Sequence, residues 1–153
     1  MKTRVLTEIA LVAALYVVLT IVFSPISYAL FQFRVSEILK STVIWRPHLI
    51  WAFVLGVCLA NFYSPYAGLW ELAWMPFANL VGAVLCWQAA RVNKWIGAAL
   101  YALIVAFGVG VMLSFILRVS FWLTVLPVLV SELLLIVGGL PIMERVMARL
   151  KGL

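Results

Sequence analysis

Aspartate is missing from this 153-residue chain, glutamate occurs five times, histidine once and cysteine twice. Each scarcity removes a class of protein. Cys58 and Cys86 are too few for a disulfide framework, and they show neither paired metal-ligand spacing nor a base nearby in sequence. Charged residues make up 10% of the chain and hydrophobic ones 67%, against about 25% and about 45 to 50% in a water-soluble domain. That apolar content excludes disorder and leaves no room for an aqueous catalytic domain. With a mean hydropathy of +1.21, the chain reads as one whose solvent is lipid.

The formal net charge is +6, which would suit phosphate contacts. The basic residues, however, stand singly at the ends of apolar runs, as membrane topology alone requires, so no basic patch offers itself to nucleic acid. The amino-terminal stretch, ending in Ser27-Tyr28-Ala29, has the outline of a secretory signal. Its uncharged run over residues 9–33 is longer than the apolar core of about 7 to 15 residues found in signals, and it reads as a first membrane helix.

Apolar stretches cover residues 5–23, 49–62, 69–90, 95–117 and 119–143, each able to cross most or all of a hydrocarbon core about 30 Å thick. Charge placement decides how residues 34–45 are used. Five crossings would scatter the basic residues over both faces. A separate short helix over residues 35–45, turned by Arg46-Pro47-His48, gathers Lys2, Arg4, Arg46, Arg91, Lys94, Arg145, Arg149 and Lys151 on the cytoplasmic side. The expectation is therefore an all-α polytopic membrane protein, a six-helix bundle with both termini cytoplasmic, forming one integral membrane domain over residues 1–153. The second helix, about 17 Å long if α-helical, is too short to span lipid alone and should be buried among the others. Tyr63, Tyr66, Trp70, Phe121 and Trp122 then fall near the outer boundary, and Trp87 and Trp95 near the inner one. Gly108-Val109-Gly110 and Gly138-Gly139 lie inside apolar spans and read as close-packing or kink points.

Ionisable groups inside a span are costly, so each is a candidate site with a partner to be found. On this layout Arg34, Ser36 and Glu37 enter helix 2 from outside, Asn61 ends helix 3, Glu71 begins helix 4, and Glu132 lies near the midplane after Pro127. Arg34, Glu37 and Lys40 repeat at a spacing of three and form one polar stripe. Two structural alternatives stand beside a binding role: a Glu37–Lys40 pair within the helix, and pairing of Glu132 with Lys40 or Arg34. A cup open to the outside, lined with carboxylates, an amide and aromatics, suits a small, flat, nitrogen-rich ligand. Carboxylates accept from amidine-like edges and pair with ammonium groups, and aromatic faces stack on rings.

The run Ala10-Leu-Val-Ala-Ala-Leu-Tyr-Val-Val-Leu-Thr20, then Ser24-Pro25-Ile26-Ser27 and Phe31-Gln32-Phe33-Arg34-Val35-Ser36-Glu37-Ile38-Leu39, resembles the QueT family of queuosine-precursor transporters. The likeness continues through Leu55-Gly56-Val57-Cys58-Leu59-Ala60-Asn61 and, in layout, through Phe121-Trp122, Ser131-Glu132-Leu133 and Gly139-Leu140-Pro141. The resemblance implies a substrate-binding S component of an energy-coupling-factor (ECF) importer in the cytoplasmic membrane. It further implies a 7-deazaguanine ligand, most simply preQ1, and partners comprising a transmembrane coupling protein and two cytoplasmic ATPases. Arg34, Ser36, Glu37, Asn61, Glu71, Trp122 and Glu132 become the substrate-binding candidates. Ala10 and Ala14, four apart on helix 1, become the candidate coupling-protein interface, with ordinary packing inside the bundle as the alternative. No cofactor, catalytic residue or metal site is expected, and the chain has no Walker lysine motif. After Glu37 it departs from the family pattern, with Lys40-Ser41-Thr42-Val43 and Arg46-Pro47-His48 in place of an apolar stretch. Capture of another micronutrient, a self-sufficient proton-coupled secondary transporter using Glu132, and an intramembrane enzyme using Glu71 or Glu132 are the rival readings. The enzyme is the weakest, because His48 falls on the side opposite the polar cup.

Overall fold

A computed structural model describes residues 3–29 and 32–150; Lys2, Phe31 and Lys151, named above, lie outside the described residues. All of the regular structure among the described residues is helical. Helix 1 is Thr3–Val22, followed by a single turn, Ser24–Ser27. Helix 2 is Val35–Ile44, helix 3 Pro47–Asn61, helix 4 Trp70–Ala89, helix 5 Lys94–Leu117 and helix 6 Phe121–Leu150. Helices 1, 4, 5 and 6 are long and apolar enough to cross a membrane, and helix 3 is a shorter apolar helix.

The polarity of the bundle is inverted relative to a water-soluble one. Leu11, Val18, Val22, Leu55, Phe77, Phe107, Leu123 and Val130 point outward, while Thr20, Ser36, Glu37, Lys40, Asn61, Glu71, Asn79 and Glu132 are buried. Hydrocarbon accepts the first set, and only other protein groups can satisfy the second. Helices 4 and 5, 5 and 6, 1 and 3, and 3 and 4 pack as neighbours. Helix 2 touches helices 1, 4, 5 and 6, so the short segment sits inside the ring of longer ones, as its length demands.

Helix 2 departs from the expected α-helix in being wound as a 3₁₀ helix for ten residues. Such runs seldom exceed three or four residues, and at about 2.0 Å per residue this one reaches about 20 Å. Its composition disfavours the α form: Val35, Ile38, Thr42, Val43 and Ile44 are β-branched. Ser41 and Thr42 also donate their hydroxyls three residues back, to the carbonyls of Ile38 and Leu39. Because residues three apart eclipse in this geometry, Arg34, Glu37, Lys40 and Val43 form one line, and all four are buried.

Two further irregularities flank carboxylates. Helix 4 opens with a π turn, Trp70–Trp74, in which Met75 N–H bonds back to the Trp70 carbonyl, and Glu71 lies within it. Pro76 follows directly, and its missing N–H and bulky ring disturb the regular ladder there. Helix 6 contains a second π turn, Leu133–Val137, immediately after Glu132, and the chain then passes through Gly138 and Gly139 before its last stretch, Leu140–Leu150. The last stretch extends the helix beyond the expected residue 143 and buries Leu140, Met143 and Met147.

One end of the bundle collects charge. Glu8 receives Arg46 at 2.7 Å, His48 at 2.8 Å and Arg4 at 3.2 Å. Lys94 pairs with Glu144 at 2.5 Å, and Arg91 lies over the Trp87 ring. Arg4, Arg46 and Leu150 line one groove, so the first and last described helices end on the same side as the helix 2–3 turn.

The close approach of helix 2 to helix 6 depends on Gly139, where an added Cβ would come within 2.2 Å of Ile38 Cγ1. Gly139→Val is expected to push helix 2 out of register and to destabilise the fold by about 1 to 3 kcal/mol, the usual cost of overpacking. Thermal unfolding in detergent micelles measures it, and an unchanged midpoint would show that helix 2 is not held at this point.

Candidate functional site

The interior polar groups form a continuous network centred on Arg34, which is 4% exposed. Its Nε donates to the Ser27 carbonyl at 3.3 Å, Nη1 to Asn61 Oδ1 at 2.9 Å and Nη2 to Gln32 Oε1 at 2.9 Å. Glu71 Oε1 lies 3.8 Å from Nη2, and the guanidinium sits 5.1 Å from the Tyr28 ring centroid. Asn61 passes the connection onward, donating Nδ2 to the Glu71 carbonyl at 3.0 Å. Tyr28 donates its hydroxyl to the Ala60 carbonyl at 2.6 Å. Burial raises its phenol above the ordinary value, with the Arg34 charge opposing, so it remains a donor.

Deeper in, the line along helix 2 meets helices 1, 5 and 6. Tyr16 donates to Glu37 Oε1 at 2.5 Å, and Lys40 pairs with Glu37 Oε2. The Lys40 ammonium lies 5.3 Å from the Tyr101 ring centroid and 6.0 Å from that of Tyr16. Thr20 and Ser36 share a hydroxyl hydrogen bond of 2.7 Å. Glu132 faces Glu37 and Lys40 from helix 6, and its Oε2 has no hydrogen-bond partner among the described residues.

Between these groups lies a cavity of only about 10 Å³, lined by Gln32, Arg34, Glu37, Lys40, Met75, Asn79, Val105, Val109 and Glu132. That is room for about one water molecule, far below the roughly 300 Å³ and upward of an ordinary small-molecule site. The open cup expected from sequence is thus closed here, and its wall contains no aromatic ring: Met75, Val105 and Val109 supply the apolar surface. Closure follows from the packing of helix 2 in the centre, where Lys40 fills space next to Glu37.

The structure brings together Arg34, Glu37 and Glu132 at the cavity. Asn61 and Glu71 stand behind Arg34, and Ser36 behind Glu37. Trp122 is separate: it is 64% exposed and packs edge-on against Phe121 at 5.2 Å. An aromatic at the outer end of a span faces lipid headgroups more readily than a cavity. Both structural alternatives bear on the result: Lys40 pairs with Glu37, and Glu132 lies against Glu37 and within the field of the same Lys40. His48 lies at the charged end on Glu8, away from this network.

Several participants were not singled out from sequence. Gln32 and Tyr16 were legible only as letters of the family-like runs, and Tyr28 only as part of the signal-like Ser27-Tyr28-Ala29. Asn79 could have been found, as a solitary amide in the apolar run over residues 69–90; it donates to the Met75 carbonyl at 3.0 Å and accepts from Tyr101 at 3.5 Å. Tyr101 carries no comparable signal, because tyrosines are common in membrane spans.

The chain is similar to the queuosine precursor transporter QueT of Lactococcus lactis subsp. cremoris, with 46% identity over 65 residues that cover 41% of this chain and 38% of the relative. The match thus spans less than half the length of that curated relative. No solved structure matches the chain. Residues 6–148, nearly the whole chain, match the family described as QueT transporter, and the protein therefore belongs to the QueT transporter family.

Proposed function

We propose that this protein is the membrane-embedded substrate-binding component of an ECF importer in the cytoplasmic membrane, capturing a queuosine precursor of the 7-deazaguanine class, preQ1, as one domain over residues 1–153. The observation that carries the ligand class is the charge count of the interior. Three buried carboxyls, on Glu37, Glu71 and Glu132, face two buried cations, Arg34 and Lys40. In a low-dielectric interior this imbalance calls for one more positive charge. The aminomethyl group of preQ1 supplies it, and the ring's N–H and amino edge supplies donors for the free Glu132 oxygen. Met75, Val105 and Val109 provide apolar contact for the ring faces once the walls part. The likeness to a named queuosine precursor transporter supports the same ligand class.

The coupling surface follows from helix 1. Ala10 and Ala14 face outward, away from the bundle, beside Leu11 and Leu15, so they are not spent on packing within the chain. A groove of about 480 Å³ runs alongside, between helices 1, 2 and 6. Small side chains on an outward face let a partner's helices approach closely. This is where the transmembrane coupling protein, carrying two cytoplasmic ATPases, would dock. The cluster of Arg4, Arg46, Lys94 and the last helix at one end supports a cytoplasmic location for both termini.

The acid excess also suits a proton, which favours one rival, a proton-coupled carrier working alone. Uptake by the isolated chain in vesicles, abolished by a protonophore, would establish that rival. Uptake that needs the ATPase module and hydrolysis supports the proposal.

Two outcomes are expected for the purified protein. In calorimetric titration the cationic aminomethyl deazaguanine binds at least tenfold more tightly than its neutral 7-cyano counterpart, and Glu132→Gln weakens the cationic ligand by at least tenfold. Equal affinities throughout would remove the carboxylate reading. Replacing Ala10 and Ala14 by Trp leaves that affinity unchanged but abolishes ATP-dependent uptake in vesicles containing the complete importer; undiminished uptake would move the coupling surface elsewhere.

A further inference from the structure

The cavity wall holds a buried amide donor that the Arg34 network does not use. Gln32 is 1% exposed, and its Oε1 accepts from Arg34 Nη2 at 2.9 Å. A guanidinium only donates, so this contact fixes which end of the amide is the oxygen. The other end, Nε2, is buried and has no hydrogen-bond partner among the described residues. A buried donor left unmade is costly, and in a native interior such a group asks for an explanation.

The backbone of the same residue adds an independent observation. Gln32 has a φ of 49°, in the left-handed region, where glycine is the default. Its N–H donates to the Ala29 carbonyl and its carbonyl accepts from Arg34 N–H, both at 2.8 Å, so the conformation is held from both sides. A strained position that carries a large, inward-turned side chain points to a role for that side chain.

The other donors around the cavity are engaged to different degrees, and Lys40 Nζ, though ion-paired with Glu37, also lacks a regular hydrogen-bond partner among the described residues. Arg34 spends its groups on Ser27, Asn61 and Gln32; Asn79 Nδ2 is held by the Met75 carbonyl; and Lys40 is held by Glu37 over two tyrosine rings. The acceptors are Glu37 and Glu132. A wall with a free carboxylate oxygen and a free amide donor matches a ring edge that presents N–H and amine donors next to a carbonyl acceptor.

We propose that Gln32 is a specificity-determining residue, its Nε2 donating to the ring carbonyl oxygen of the captured deazapurine while Glu132 accepts from the adjoining donor edge. Gln32 thereby separates 6-oxo rings from 6-amino rings, whose exocyclic amine would meet the amide donor head-on. This inference rests on the reading of deazaguanine capture given above. Discrimination by a buried polar partner is strong, because the mismatched ring leaves a donor facing a donor.

The test is a calorimetric series on the purified full chain with three ligands: 7-aminomethyl-7-deazaguanine, its 6-amino counterpart, and the analogue bearing hydrogen in place of the carbonyl oxygen. The wild-type protein should prefer the 6-oxo ligand over both others by at least a hundredfold. Gln32→Met should lower that preference at least tenfold, and Gln32→Glu, which offers only acceptors to the 6-position, should lower it further. If the wild type binds the 6-oxo ligand but the carbonyl-free analogue binds equally well, no donor reads that oxygen and the assignment fails without recourse to any variant. Folded variants that keep the wild-type ratio would also overturn it and pass the role to Lys40. Failure of the wild type to bind any of the three would instead overturn deazaguanine capture itself.

Discussion

A guanidinium inside a lipid-facing bundle has no water to fall back on, and the way Arg34 is clothed organises the site half of this protein. Its five N–H donors are shared among the Ser27 carbonyl, Asn61, Gln32 and the neighbourhood of Glu71. These groups come from the turn after helix 1, the end of helix 3, the entry to helix 2 and the start of helix 4. One side chain thus fixes where four segments meet, and removing it would leave a carboxylate and two amides to be satisfied in hydrocarbon. The inner group, Glu37 with Lys40, Tyr16 and Glu132, is tied to the outer one by the line of residues along helix 2.

The departures from regular α geometry are concentrated where the charges are. Helix 2 is 3₁₀ throughout, and the two π turns contain Glu71 and follow Glu132. A regular helix would bring residues three apart round by 300°, setting Arg34, Glu37 and Lys40 on a slowly turning band. The tighter winding places them in a straight file on one side of the helix, at successive depths about 6 Å apart. The π turns have the opposite effect, widening the helix locally so that a carboxylate is carried inward.

Much of this was legible from the chain. The apolar runs gave the long helices, and the distribution of basic residues required a short helix over residues 35–45, which the structure contains. The same reasoning could not reveal its winding, because a spacing of three is compatible with a polar stripe on an α-helix, and the decision lies in β-branched residues and side-chain bonds to carbonyls. Arg34, Glu37 and Glu132 were identifiable because charge inside a span is conspicuous. Trp122 was drawn in by its aromatic character and a layout-level likeness at Phe121-Trp122, and an aromatic serves a lipid boundary as well as a pocket. Gln32 escaped notice because an amide in a connecting segment is ordinary until its backbone angle and burial are known.

In the capture role proposed above, the small void among Gln32, Glu37 and Glu132 would also govern kinetics. A chamber with space for a single water admits no guest by collision alone, so entry must wait for the bundle to breathe, and the rate of loading reaches a ceiling as the solute becomes plentiful. The same tightness slows escape. A scavenger of the proposed kind would give up speed at high supply and retain what it catches when supply is poor.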